Sequence, residues 1–151
     1  MKPTILLVED DKNDVFLMER AFSKTSVVTE THVARDGREA LCYLHGEGKY
    51  ADRKLHPLPC VTLLDLNLPH VHGLEVLKQI RADPALRKLV VVVVTSSVAD
   101  SDIDRAYDLG ANSYLSKPNG LLEGEALAEM ISHYWLHKNQ LTRSFSGQCG
   151  A

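Results

Sequence analysis

An α/β fold with one doubly wound, parallel, five-stranded sheet is the architecture this sequence predicts, and three observations predict it. Short apolar runs rich in Val, Ile and Leu alternate five times with stretches of helical periodicity, the pattern of a parallel sheet covered by helices on both faces. One of these runs, Leu89-Val-Val-Val-Val-Val94, is apolar throughout, as a central strand buried on both sides requires. Polar groups gather where the strands end: Glu9-Asp10-Asp11 after the first, Asp65 after the third, Thr95 at the end of the fourth and Lys117 after the fifth. In an open α/β sheet the carboxyl ends of the strands are where ligands bind.

The strands fall at 4–8, 30–34, 60–65, 89–95 and 112–116, with helices at 11–24, 37–46, 73–82, 99–109 and 121–138. Asp10 or Asp11 can cap the first helix, whose Val15, Met18 and Phe22 form one stripe. Asp83-Pro84 stops the third, because the residue before a proline is pushed out of the α region. The fourth has few large apolar anchors, chiefly Ile103, Tyr107 and Leu109, which suits an element with two states. Leu122, Ala126, Leu127, Met130, Ile131, Tyr134 and Trp135 give the last helix a stripe wider than one packing face needs. A homodimer through this C-terminal helix would use the excess; Tyr134 and Trp135 closing the domain's own core is the alternative. The connection 45–59 enters the sheet edge opposite the acids, away from any chemistry. The domain is expected over 1–138, with 139–151 a frayed, flexible tail.

Bulk properties exclude more than they select. The 151 residues make one domain of ordinary size, 44% hydrophobic and 25% charged. A net charge of -3 and no basic cluster give no case for nucleic acid. No apolar run is long enough to cross a membrane. Cys42, Cys60 and Cys149 have no metal-binding spacing; Cys42 and Cys60 read as small core residues, and an odd count without a secretory segment points to a reducing cytoplasm.

Carboxylates converging on one edge repel each other and raise at least one pKa unless a counter-ion intervenes. A hard divalent cation such as Mg²⁺ answers that charge and also binds phosphate oxygens. Phosphoryl transfer to Asp65 then needs positioning and neutralisation more than covalent help, with Lys117 clamping one oxygen and Thr95 donating to another. Each residue alone has a plainer reading. Asp65 is equally a loop-capping acid, Asp10 and Asp11 helix caps, Thr95 a β-branched strand residue, Lys117 a solvated lysine and Tyr114 a core aromatic. His70 and His72 lack a third ligand for zinc and read as solvated loop histidines.

Taken together and in order, Glu9-Asp10, Asp65, Thr95-Ser96, Tyr114 and Lys117-Pro118 make residues 3 to about 136 resemble the receiver domain of two-component response regulators. The stretch Gly110 to Pro118 is similar to that family's fifth-strand signature, and Asp65-Leu-Asn-Leu-Pro69 with Gly73 to its phosphorylation loop. The resemblance implies a flavodoxin-like (βα)5 sheet of order 2-1-3-4-5 and a non-enzymatic phosphoacceptor. Asp65 would take a phosphoryl group from a sensor histidine kinase. Asp10, Asp65 and the Asn67 backbone carbonyl would ligate Mg²⁺, with Glu9 acting through water. Lys117 would contact the phosphoryl group, and its bond to Pro118 is often cis in the family. Thr95 would move toward a phosphoryl oxygen while Tyr114 swings inward. Asn67 and Ser97, short and uncharged on the route of an attacking water, imply self-dephosphorylation in minutes or longer.

With no effector segment, the expectation is a stand-alone regulator whose surface is the output. The 45–59 connection, the Leu-Asn-Leu-Pro loop and the Tyr-Trp end of the last helix resemble the small regulators paired with phytochrome-type histidine kinases. Two enzyme or carrier readings fit less well. A haloacid-dehalogenase-type phosphatase wants a second aspartate where Asn67 stands, and a flavin carrier would set its phosphate against Glu9-Asp10-Asp11. Nothing in the residues favours a receiver that binds partners without phosphorylation.

Overall fold

The computed structural model describes residues 2–146, apart from the side chains of Ser144 and Ser146. The strands are β1 (Thr4–Val8), β2 (Glu30–Ala34), β3 (Val61–Leu64), β4 (Val91–Thr95) and β5 (Ser113–Ser116). They form one sheet of order β2-β1-β3-β4-β5, parallel throughout. The helices are α1 (Lys12–Ser23), α2 (Gly37–His45), α3 (Gly73–Ala82), α4 (Asp100–Asp108), α5 (Leu121–Ile131) and a short α6 (Arg143–Ser146). Architecture and strand order are those expected.

Period-two alternation sorts the central strands between two cores. Ile5, Leu7, Val61, Leu63, Val92 and Val94 pack with Val15, Met18 and Phe22 of α1 and Ala128 and Ile131 of α5. Leu6, Val8, Leu64 and Val91 pack on the other face with Tyr43 and Leu44 of α2 and Val76, Leu77 and Ile80 of α3. Among the α4 residues only Ala106 is buried, so this helix is the most lightly held of the five around the sheet.

Register puts the chemistry at one edge. Val8 stands opposite both Ala34 and Leu64, and Leu64 opposite Val93. Beyond the ladders, the Glu9 N–H donates to Ala34 O at 3.0 Å, that of Asp65 to Val8 O at 3.1 Å and that of Lys117 to Thr95 O at 3.0 Å. By this register Glu9 and Asp65 leave the sheet at one level, and Lys117 leaves it two residues further along.

Four differences from the sequence reading have local causes. β4 begins at Val91 and β5 at Ser113, because the Asn112 side chain replaces backbone there: its Oδ1 accepts from the Val91 N–H at 2.8 Å and from Arg81 Nη2 at 3.0 Å. The last helix is α-helical only to Ile131; Ser132–Lys138 widens to a π-helix, closed by the Asn139 N–H on Tyr134 O at 2.7 Å. Cys60 is disulfide-bonded, which corrects its reading as a simple core thiol and removes the cysteine argument for a reducing compartment. Cys42 is free, and Cys149 lies outside the described residues. The stretch from Asn139, expected to fray, instead sets Leu141 against both cores and buries Phe145 to 3% exposure. The expected tail beyond 146 lies outside the described residues. Phe145→Ala should cost about 3–4 kcal/mol in urea unfolding, whereas a loosely attached tail would show no change.

The 45–59 connection is organised by one cation. Arg53 donates to Tyr43 O at 2.8 Å and Leu44 O at 2.6 Å at the end of α2, and to His56 O at 3.1 Å, tying the connection to the helix terminus. The Tyr50 ring packs tilted at 54° against Tyr43, centroids 5.1 Å apart, and its hydroxyl donates to Glu39 Oε1 at 2.6 Å.

Candidate functional site

At the carboxyl edge, Glu9 and Asp65 are buried while Asp10 is exposed, and carboxylate oxygens of the three lie within 4.8 Å of one another. Lys117 reaches in from the segment after β5. Its Nζ is 3.0 Å from Asp65 Oδ2, 3.0 Å from Glu9 Oε2 and 2.9 Å from Asp14 Oδ2. The second Asp65 oxygen, Oδ1, accepts from the Leu66 N–H at 2.8 Å, and Glu9 Oε1 accepts from the Asp11 N–H at 3.0 Å. Asp11, as expected, is the cap of α1, accepting from the Asn13 and Asp14 N–H groups.

The electrostatics follow from burial. Loss of solvation, reinforced by the charge of Asp65, pushes the Glu9 carboxyl up to about 7, although Lys117 and the Asp11 N–H favour its charged form. Burial opposes the Lys117 charge too, but hydrogen bonds to Asp14, Glu9 and Asp65 outweigh it and hold the ammonium above the ordinary lysine range. One ammonium thus faces three acids, with a fourth, Asp10, beside them. This donor set is all oxygen, part buried and short of positive charge, and it fits a hard divalent cation.

The loop after Asp65 is fixed by backbone contacts. The Gly73 N–H donates to Leu66 O at 2.9 Å, Leu68 N–H to Leu66 O at 3.1 Å and Val71 N–H to Pro69 O at 2.8 Å. A Cβ at Gly73 would lie 2.3 Å from Asp65 O, so only glycine lets α3 start this close to the acceptor strand. His70 takes a left-handed conformation, φ 66. His72 is not merely solvated: its Nδ1 accepts from the Leu74 N–H at 3.1 Å and caps α3. Asn67 is exposed beside the acids.

Thr95 and Tyr114 bracket the loop between β4 and α4. Thr95 is fully buried, and its Oγ1 accepts from the Ser97 N–H at 3.4 Å. The Tyr114 hydroxyl donates to Ser97 O at 3.0 Å, and Ser97 Oγ donates to Asp102 Oδ2 at 2.6 Å. Ser97 is therefore tied both to β5 and to the first turn of α4. No peptide among the described residues is cis, so the Lys117–Pro118 bond is trans, contrary to the family habit.

Of the side chains anticipated from sequence, Glu9, Asp10, Asp65 and Lys117 meet at this edge, while Thr95 and Tyr114 contact Ser97. Two further participants, Asp14 and Asp102, carry little signal in the sequence. Asp14 lies in the first turn of α1, three residues past the Asp11 cap, where an acid is adequately explained by the helix itself. Asp102 gives no signal, because its partner Ser97 is set by the loop path.

Comparison with known proteins places this geometry. Residues 5–131 match the family model described as response regulator receiver domain. The probable methanogenesis regulatory protein FilR2 of Methanothrix harundinacea is 42% identical over 139 residues, covering 90% of this chain and 85% of that protein. Response regulator Rcp1 of Synechocystis is 37% identical over 132 residues, 87% of this chain and 88% of that protein. The Mn²⁺-bound form of Rcp1 superposes with a TM-score of 0.82 over 93% of this chain and 99% of that one. The phosphorylated cyanobacterial phytochrome response regulator RcpA gives 0.86 at 39% identity, over 93% of this chain and 99% of that one. With the motifs, the sheet order and the acidic edge in agreement, the chain belongs to the response regulator receiver domain family, the signal-accepting module of two-component systems.

Proposed function

We propose that Asp65 accepts a phosphoryl group from the phosphohistidine of a sensor kinase, in a Mg²⁺-dependent reaction. The observation that carries this reading is the Lys117 ammonium 3.0 Å from Asp65 Oδ2, beside carboxylate oxygens gathered within 4.8 Å. An Asp65 carboxylate oxygen attacks phosphorus, the P–N bond breaks and its electron pair leaves with the imidazole, which takes up a proton. Lys117 is placed to follow the charge from the carboxylate to the phosphoryl oxygens. Asp10, Asp65 and the Asn67 carbonyl would hold Mg²⁺, with Glu9 acting through water; bound there, it neutralises phosphoryl oxygens. Thr95 would donate to a phosphoryl oxygen, and Tyr114 would report the change through Ser97 to the lightly held α4. The only turnover would be release of the chain's own phosphoryl group, slow because Asn67 and Ser97 supply no base. The test is transfer of label from a phosphorylated histidine kinase, expected for wild type and absent for Asp65→Asn; equal labelling of both would place the acceptor elsewhere.

Similarity to RcpA and Rcp1 supports a phytochrome-type kinase upstream, and an ATP-fed kinase domain would put the encounter in the cytoplasm. Output would pass through a homodimer. Leu122, Met130 and Tyr134 are 84%, 51% and 55% exposed on one continuous C-terminal helical segment, an apolar surface of the kind that subunit contacts bury. Light scattering should give twice the monomer mass with beryllofluoride bound, and Met130→Glu with Tyr134→Glu should return it to monomer. A monomer under all conditions would remove the dimer from the scheme.

A further inference from the structure

Asp14 has no place in the roles just assigned, yet it makes the shortest contact to the central lysine, 2.9 Å from Lys117 Nζ. It is not the cap of α1, since Asp11 fills that role. It is not part of the carboxylate cluster formed by Glu9, Asp10 and Asp65. Its side chain is 38% exposed, so nothing in the packing forces it onto the lysine. Among the described residues, its side chain accepts a side-chain hydrogen bond from Lys117.

The charge count gives the contact a consequence. Glu9, Asp10 and Asp65 together would be balanced by one ammonium and one divalent cation. Asp14 adds a further negative charge within reach of the same ammonium. A phosphoryl donor is an anion, and modification of Asp65 makes the site more negative. The donor must therefore compete with Asp14 for Lys117.

We infer that Asp14 is a positioning residue that holds Lys117 partly away from the phosphoryl group and so lowers the site's affinity for anionic phosphoryl donors. It divides the ammonium between a carboxylate on α1 and the acceptor just after β3, leaving the unmodified state favoured until a donor of sufficient affinity arrives. This rests on Asp65 being the acceptor. The expected size is modest, because Asp14 is partly solvated and its charge is screened.

The experiment measures phosphorylation by intact mass over a range of acetyl phosphate concentrations for wild type, Asp14→Asn and Asp14→Glu. Asp14→Asn should reach half its maximal rate at about fivefold lower acetyl phosphate, with the maximal rate changed less than twofold, and the gap should narrow in high salt. Asp14→Glu should restore the wild-type dependence. In metal-free buffer without donor, acetic anhydride should modify Lys117 at least twofold faster in Asp14→Asn, read by mass after digestion. A role confined to the helix would move the melting temperature and neither of these readouts. Unchanged half-saturation with unchanged Lys117 reactivity would overturn the inference, as would a lower maximal rate at unchanged half-saturation, which would make Asp14 an anchor that catalysis needs. If wild type gains no phosphoryl group while Lys117 reactivity still responds to Asp14, the failure lies in the acceptor reading and not in the Asp14–Lys117 contact.

Discussion

Replacing Lys117 with Met should destabilise the metal-free protein by about 3–5 kcal/mol at pH 8, because removing one partner of a buried ion pair leaves its carboxylates uncompensated. Glu9 and Asp65 are the carboxylates concerned, at 3% and 4% exposure. The loss should shrink below pH 6. Glu9 is already pushed up from 4.5 to about 7 by burial and by Asp65, so it can take a proton and discharge the pair. In wild type the same shift fixes a sign. The fold favours neutral Glu9, so that contribution is whole below about 4.5 and is lost as pH rises through about 7. Lys117, held above the lysine range, stays charged throughout. Urea unfolding in chelator at pH 5.5 and 8 measures both effects. A loss in Lys117→Met that is small and independent of pH would mean that the ammonium does not carry the buried acids. Phosphoryl acceptance should fall by about a hundredfold or more in the same variant, as one charge stabilising the transferring group is removed.

Gly73→Ala should be strongly damaging to both fold and site. Its Cβ would lie 2.3 Å from Asp65 O and 2.6 Å from Leu66 Cα, both backbone atoms of the acceptor loop. Relief requires α3 to back away from β3, which costs Gly73 its hydrogen bond to Leu66 O and moves the Asp65 carboxylate off Lys117. Destabilisation of about 3 kcal/mol or more is expected from overpacking against backbone, with phosphorylation lost even under conditions where the variant remains folded. Ala85→Gly, at an exposed position on the loop after α3, is the control. Wild-type phosphorylation in a folded Gly73→Ala would show that the loop has slack the structure does not display.

How far the sequence could be read depended on the kind of interaction. Strands β1, β3 and β4 are fully buried and largely apolar, and the polar residue that ends each run marks the site edge. Glu9, Asp65 and Thr95 were therefore legible from position alone, and Lys117 from its place after the fifth run. Interactions that join side chains to backbone leave no periodic trace. Arg53 on the end of α2, Arg81 on Gly110 O at 2.8 Å and Leu89 O at 2.7 Å, and Asn112 on Val91 each fix a loop, and none could be read from spacing. The C-terminal stretch misled for the opposite reason. Leu141 and Phe145 are single apolar residues among polar ones, which look like a frayed tail until the two cores they touch are in place. Asp14 was hidden by its place, since an acid in the first turn of a helix is adequately explained by the helix itself.

The most direct test of the central claim is intact mass after incubation with acetyl phosphate, with Mg²⁺ and with chelator, for wild type and Asp65→Asn. A gain of one phosphoryl group by wild type, dependent on Mg²⁺ and absent from Asp65→Asn, is the predicted result. No gain by wild type under either condition, or an equal gain by the variant, would contradict it.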